Sequence, residues 1–175
     1  MKFERDCPAV MVPQGEAVTL PAGSSGYITQ ALGGSFTVFV DGNLFRIAGD
    51  DADAIGKSRP APLELPEGAG DDAVEKLVWE QLRTCFDPEI PVNIVELGLV
   101  YDCELGRNGE GERTVAIRMT LTAPGCGMGD ILVEDVRTKV ERVPTVVDVD
   151  VDLVFDPPWN QGMMSDAARL DTGMF

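Results

Sequence analysis

The apolar positions of this chain change period near its middle. Up to about residue 50 they come in short runs broken by Gly and Pro: Ala17-Val18-Thr19-Leu20, Gly26 to Leu32, Ser35 to Val40 and Asn43 to Ile47. Such runs predict strands, and Asp41-Gly42 between the last two predicts a two-residue hairpin turn. A small β-barrel-like module over residues 1–58 is therefore expected. Gly56-Lys57-Ser58-Arg59-Pro60-Ala61-Pro62 and Leu65-Pro66-Glu67-Gly68-Ala69-Gly70 follow without periodicity, which predicts a linker over 59–71.

From residue 72 the period lengthens. Val74, Leu77, Val78, Leu82, Cys85 and Phe86 share one helical face until Pro88, and Asp72 with Glu75 three residues on has the form of a capping box. Leu99 to Glu104 and Thr114 to Leu121 predict a hairpin across the polar loop 106–112; Val115, Ile117, Met119 and Leu121 lie on one face, Ala116, Arg118 and Thr120 on the other. A second helix is expected over Asp130 to Arg142, with Leu132, Val133, Val136, Val140 and Val143 as its stripe. The last strand, Val146 to Phe155, sets Val147, Val149, Val151, Leu153 and Phe155 against Asp148, Asp150 and Asp152. The chain thus reads as α+β: a small N-terminal all-β module, then a two-layer α/β domain of order α-β-β-α-β over 72–175.

Charge and composition narrow the function. A net charge of −16 opposes binding to nucleic acid or anionic membranes, which need clustered Lys and Arg. The acidic start Met1-Lys2-Phe3-Glu4-Arg5-Asp6 lacks a signal-peptide core and no run of 18 apolar residues occurs, so a cytosolic chain is expected. With no histidine, Ser-His-Asp and Cys-His catalysis are excluded, leaving thiol chemistry, carboxylate chemistry or binding alone.

The four cysteines form no Cys-x-x-Cys pair and are too scattered for a disulfide framework. Cys85 lies on an apolar helical face and Cys103 in a strand, both suited to packing; Cys7, in a polar leader, is expected to be exposed. Cys126 differs. It sits in Thr120-Leu121-Thr122-Ala123-Pro124-Gly125-Cys126-Gly127-Met128-Gly129, a glycine-rich turn between strand and helix, where free N–H groups and the helix dipole would favour the thiolate. The alternative is a small apolar filler beneath the turn. A second candidate is Asp87-Pro88-Glu89-Ile90-Pro91, whose carboxylates could hold iron or orient a partner, or, for Asp87, cap the turn. Asp148, Asp150 and Asp152 lack the Gly and Glu of a calcium loop and read as a solvated face.

Together, Asp87-Pro88-Glu89-Ile90-Pro91 with Glu96-Leu97-Gly98-Leu99-Val100, then Thr120-x-Thr122-x-Pro124-Gly125-Cys126, then Asp156-Pro157-Pro158-Trp159 and Met164-Ser165, resemble the family of small iron-sulfur assembly proteins that includes the phenylacetate-pathway protein PaaD and the SufT proteins. The likeness spans about residues 72 to 175, and the N-terminal β extension looks like the longer SufT-type subgroup. It implies a non-enzymatic cytosolic factor of the SUF pathway, serving cluster assembly machinery and client apo-proteins. Cys126 would be the functional thiol and metal ligand, with Asp87, Glu89, Thr120 and Thr122 as the accompanying motif. Gly127 stands where many relatives have proline. One thiol cannot enclose a cluster, so a transient iron-sulfur cluster would be shared, by a homodimer or with a client. Two other classes stay open. One is a thiol enzyme using Asp87 or Glu89 as base. The other is a protein-interaction adaptor whose contact surface is Trp159, Met163 and Met164, although Trp159 would equally serve as a lid on the sheet.

Overall fold

A computed structural model describes residues 1–12, 14–32, 34–87, 90, 92–122 and 129–173. The chain divides into two compact units, Met1–Ala61 and Pro62–Phe175.

In the first unit, β1 (Cys7–Val12), β2 (Ala17–Leu20), β3 (Tyr27–Leu32), β4 (Ser35–Val40) and β5 (Asn43–Ile47) form one antiparallel sheet in the order β2-β1-β5-β4-β3. Asp41 and Gly42 both take positive φ, 48° and 86°, as the predicted two-residue turn between β4 and β5 requires. Among the described residues no ladder joins β2 to β3, so the sheet is open where a barrel-like closure was expected. Strand β1 is the element the sequence concealed, because acids precede it and a proline interrupts it. Its alternation places Cys7 and Ala9 in the core with Val38, Phe45 and Ile47, so Cys7 is fully buried and not exposed. A 3-10 helix, Gly49–Ile55, carries Ala52, Ala54 and Ile55 inward. Its acids hold the leader: Arg5 donates to Asp51 at 3.0 Å and to Asp53 at 2.7 and 2.9 Å, and Arg59 reaches Asp53 at 3.1 Å. These guanidinium hydrogen bonds keep the Asp53 carboxyl well below the usual carboxylate range.

The second unit begins with Leu63 and Leu65 packed against its core, followed by α1 (Asp71–Leu82). The expected capping box does not form. Gly70 is the N-cap with no side-chain bond, so Asp71 and Asp72 fall inside the first turn, where carboxylates suit the positive end of the helix. Asp71 instead accepts from Arg113 at 2.8 Å and Arg107 at 2.9 Å. After the short helix α2 (Ile94–Leu97) come β6 (Val100–Arg107), β7 (Arg113–Met119), α3 (Gly129–Glu141), β8 (Val146–Leu153), a 3-10 turn Gln161–Met163 and α4 (Asp166–Thr172). Strand β7 is central, antiparallel to β6 and parallel to β8, with α3 as the crossover between the parallel pair.

One face of this sheet is dry. Val115, Ile117 and Met119 of β7 join Val74, Val78 and Leu82 of α1 and Leu132, Val136 and Val140 of α3, all buried. Fully burying each such side chain contributes roughly 1.5–3 kcal/mol. The other face is wet and acidic, the register aligning Asp102, Arg118 and Asp152 in one row and Glu104, Ala116 and Asp150 in the next. Two expectations for β8 fail. The β7–β8 register jumps from Arg113–Val146 to Thr114–Asp148, so Val147 is bulged out and 52% exposed while Val146 is buried. Phe155 lies past the end of β8 and is also exposed.

A buried cation joins the two long helices. Lys139, on the apolar side of α3, donates to the Thr84 carbonyl just past α1 at 2.6 Å and lies 3.2 Å from Asp135. The ammonium thereby satisfies an end-of-helix carbonyl and stands at the negative end of the α1 dipole.

Candidate functional site

The site is built where three chain segments meet at one end of the sheet. Past α1 the chain doubles back on itself: Phe86 and Asn93 form an isolated antiparallel bridge, Asp87 N–H donates to the Val92 carbonyl at 3.3 Å, and Ile94 N–H donates to the Cys85 carbonyl at 2.9 Å. The loop so closed carries Asp87, which is 5% exposed. Its Oδ1 accepts from Ile90 N–H at 2.9 Å, the turn-capping role open to it from sequence. Its Oδ2 accepts from the Thr122 hydroxyl at 3.2 Å. Asp87 therefore braces two segments 35 residues apart. Glu89 lies outside the described residues.

Thr122 belongs to the second segment. Strand β7 ends at Met119, and Thr120 N–H donates to the Leu99 carbonyl at 2.9 Å. Thr120, expected with Ala116 and Arg118 on the face opposite Val115, Ile117 and Met119, is fully buried, and among the described residues its hydroxyl has no hydrogen-bond partner. Cys126 itself lies outside the described residues, but both flanks of its segment are fixed. Leu121 is buried before it and Gly129 opens α3 after it, and a Cβ on Gly129 would meet Leu121 Cδ1 at 2.8 Å. The two ends are thus packed against each other, next to the Asp87–Thr122 brace.

The third segment is the C-terminal one. Asn93 caps α2 by accepting from Glu96 N–H at 3.0 Å, and Gly98 ends it in the left-handed region at φ 77°. Trp159 Nε1 donates to the Leu97 carbonyl at 2.7 Å, and Ser165 N–H to the Glu96 carbonyl at 2.8 Å. A bulge in β6 leaves Tyr101 unpaired, and its hydroxyl donates to the Pro157 carbonyl at 2.6 Å. Residues 156–165 therefore strap the turn that leads into Leu99. Trp159 and Met163 are half-buried and Met164 is 4% exposed, with Met164 in the unit's core and Trp159 packed against it.

The remaining thiols are poor nucleophiles. Burial, with help from Asp51, pushes Cys7 up to about 11, and burial, with Glu75 and Asp102, does the same for half-buried Cys103. Cys85 is fully buried, its sulfur 3.6 Å from the Gln81 carbonyl. Among the described residues no three His, Cys, Asp or Glu side chains cluster so as to hold a metal ion, and no helix is long and apolar enough to cross a membrane. Lys139 was missed from sequence, although a lone lysine between Val136 and Val140 was the available signal.

Residues 75–152 match the family model described as iron-sulfur cluster assembly protein. An Fe-S protein maturation auxiliary factor of Porphyromonas gingivalis is 48% identical over 99 residues, 57% of this chain and 90% of that protein. The Fe-S protein maturation auxiliary factor SufT of Staphylococcus aureus is 39% identical over 89 residues, 51% of this chain and 97% of that protein. A crystal structure of a domain of unknown function from Bacillus anthracis superposes with a TM-score of 0.51 at 35% identity, covering 59% of this chain and 95% of that one. The chain belongs to the iron-sulfur cluster assembly family, as a SufT-type protein acting in iron-sulfur protein maturation.

Proposed function

We propose that the chain hands iron-sulfur clusters to client apo-proteins through the Cys126 thiolate, as a cytosolic, non-enzymatic factor that meets both the assembly machinery and its clients. The observation that carries this reading is the bracing of the Cys126 segment. Thr122 is tied to buried Asp87 at 3.2 Å, and Gly129 is packed on Leu121. A segment anchored at both ends can present a thiol at a reproducible place. The 13-residue helix α3 begins three residues past Cys126, and its positive end would favour the thiolate that iron requires. The maturation role named for the relatives supports the same assignment. A single thiol leaves most of a cluster's ligation to a second chain or a client, and such incomplete ligation makes release easy.

Anaerobic ultraviolet-visible spectroscopy, with iron and sulfide assays on the native protein and Cys126→Ser after reconstitution and desalting, tests this. Thiolate-to-iron absorption that vanishes in the variant is the expected result. Absence of absorption in both would refute cluster carriage and direct attention to an adaptor role, checked by pull-down of apo-clients. A cluster that keeps full occupancy through gel filtration and chelator challenge would refute the handoff.

A further inference from the structure

The sheet of the first unit has two apolar faces, and the described residues leave one of them open. Val38, Phe45 and Ile47 point to the core side, where they pack with Ala54 and Ile55. The opposite side carries a row that crosses four strands by direct pairing: Tyr27 of β3 opposite Phe39 of β4, Phe39 opposite Leu44 of β5, and Leu44 opposite Val12 of β1. The Tyr27 and Phe39 rings stack with their centroids 5.8 Å apart. Tyr27 is 65% exposed and Leu44 36%, so the row faces water. The next row on this side is Ala17, Val10, Arg46 and Thr37, and there Pro8, Val10, Ala17 and Arg46 line a groove of about 470 Å³. A contiguous exposed patch of this kind marks an interaction surface.

Charge and area say what covers it. None of the five strands contains an Asp or Glu, in a chain that has 30, and Arg46 is their only charged residue. Residues 1–61 hold seven acids against five bases, so fourteen of the sixteen net negative charges fall in 62–175. Two copies of so acidic a chain repel each other over most of their surface, whereas here they can meet without opposed carboxylates. We propose that the first unit is a dimerisation module, in which a second copy of this chain covers the open face with its own, apolar row on apolar row. Two sheets packed face to face are a standard way of burying such rows. A face five strands wide and about five residues long measures about 24 by 17 Å, from the strand spacing and rise. The outline is then about 400 Å² on each copy, at the low end of specific interfaces, so the dimer is weak and forms in the micromolar range or above. The inference concerns the first unit alone and stands whether or not the chain carries a cluster.

Sedimentation equilibrium of the full chain at about 0.15 M salt, from about 1 μM to 1 mM, tests it on native protein, Tyr27→Lys, Leu44→Lys and, as a control, Leu170→Lys, at a position 68% exposed on α4. The native mass is expected to climb with concentration from 18.8 kDa toward twice that value. Each lysine on the row, forced against an apolar surface, is expected to raise the dissociation constant tenfold or more, and Leu170→Lys to leave it unchanged. Melting temperatures are read at a dilution where the native chain is monomeric, and the two row variants are expected to melt close to native because the side chains they replace face water. A native chain that stays at 18.8 kDa throughout overturns the inference and leaves the face to a partner of another kind. A native dimer that both row variants form equally well overturns it by placing the interface elsewhere. Row variants that both melt well below native overturn it too, by showing that the row is already packed within the single chain.

Discussion

Replacing Gly98 by alanine should cost far more than the same change at Gly68, although the two glycines share a backbone conformation. Gly98 has φ 77° and Gly68 φ 76°, both in the left-handed region. A side chain there costs about 1–2 kcal/mol at either position. At Gly68 nothing lies within 4 Å of where a Cβ would sit, so the cost ends there. At Gly98 the Cβ would run into the Met163 carbonyl oxygen and come within 3.0 Å of Met163 Cβ. That obstacle is backbone, and relief requires the 156–165 strap to move away from α2. Moving it weakens the hydrogen bonds from Trp159 to Leu97 and from Ser165 to Glu96, each contributing about 1 kcal/mol. It also loosens Met164, 4% exposed, at roughly another 1 kcal/mol. The expected cost is about 4–5 kcal/mol for Gly98→Ala against about 1–2 for Gly68→Ala, from the sum of these contributions. Urea unfolding of both variants followed by tryptophan fluorescence measures the difference, and Trp159 should report a changed environment only in Gly98→Ala. Equal losses in the two variants would refute the strap as a structural constraint on the turn that leads into Leu99.

Three further outcomes follow from buried or paired charges. Lys139→Met removes a buried ammonium from Asp135 and from the Thr84 carbonyl, and should cost about 3 kcal/mol in urea unfolding; a loss below about 1 kcal/mol would mean the pair is solvated. Asp53 is held below its ordinary value by Arg5 and Arg59, so its contribution is present above about pH 4 and is lost as pH falls through the lower folded-state value. Asp53→Asn should therefore flatten the acid limb of the first unit's stability curve, and an unchanged limb would contradict the assignment. Cys7 and Cys103, both pushed up to about 11, should carry roughly 100-fold less thiolate at pH 8 than a free cysteine and be alkylated correspondingly slowly. Mass-spectrometric mapping of the modified cysteines checks this, and rapid labelling of either would contradict it.

The elements legible in the sequence are those whose burial follows a simple period. Val74, Val78 and Leu82 on α1, Leu132, Val136 and Val140 on α3, and the alternation of Val115, Ile117 and Met119 on β7 each declare one dry face, and the structure places those faces together. Periodicity failed where local irregularity overrides it. A one-residue bulge at Val147 exchanged the buried and exposed positions at the start of β8, and no pattern of residue types announces a register jump. Strand β1 was hidden because Pro8 reads as a breaker, although pairing with β2 carries the strand through it, and β5 joins only from Val10 on. The capping box failed by two residues, since Gly70 opened the helix before Asp72 could cap it.

The candidate site was legible in a different way, by residue type and by resemblance, and what the residues do to one another was not. Asp87 and Thr122 could each be named from sequence, but a hydrogen bond across 35 residues depends on the Phe86–Asn93 pinch and on the end of β7 arriving at the same place. Strand period put Thr120 with Ala116 and Arg118 on the face opposite the apolar one, and the structure buries it just past the end of β7 at Met119. A position that strand alternation sets opposite the apolar face is fully buried, and among the described residues its hydroxyl has no hydrogen-bond partner. Departures of this kind from local consistency are expected where function sets the residue, and Thr120 is where sequence and structure diverge, two residues before the Thr122 that bonds Asp87.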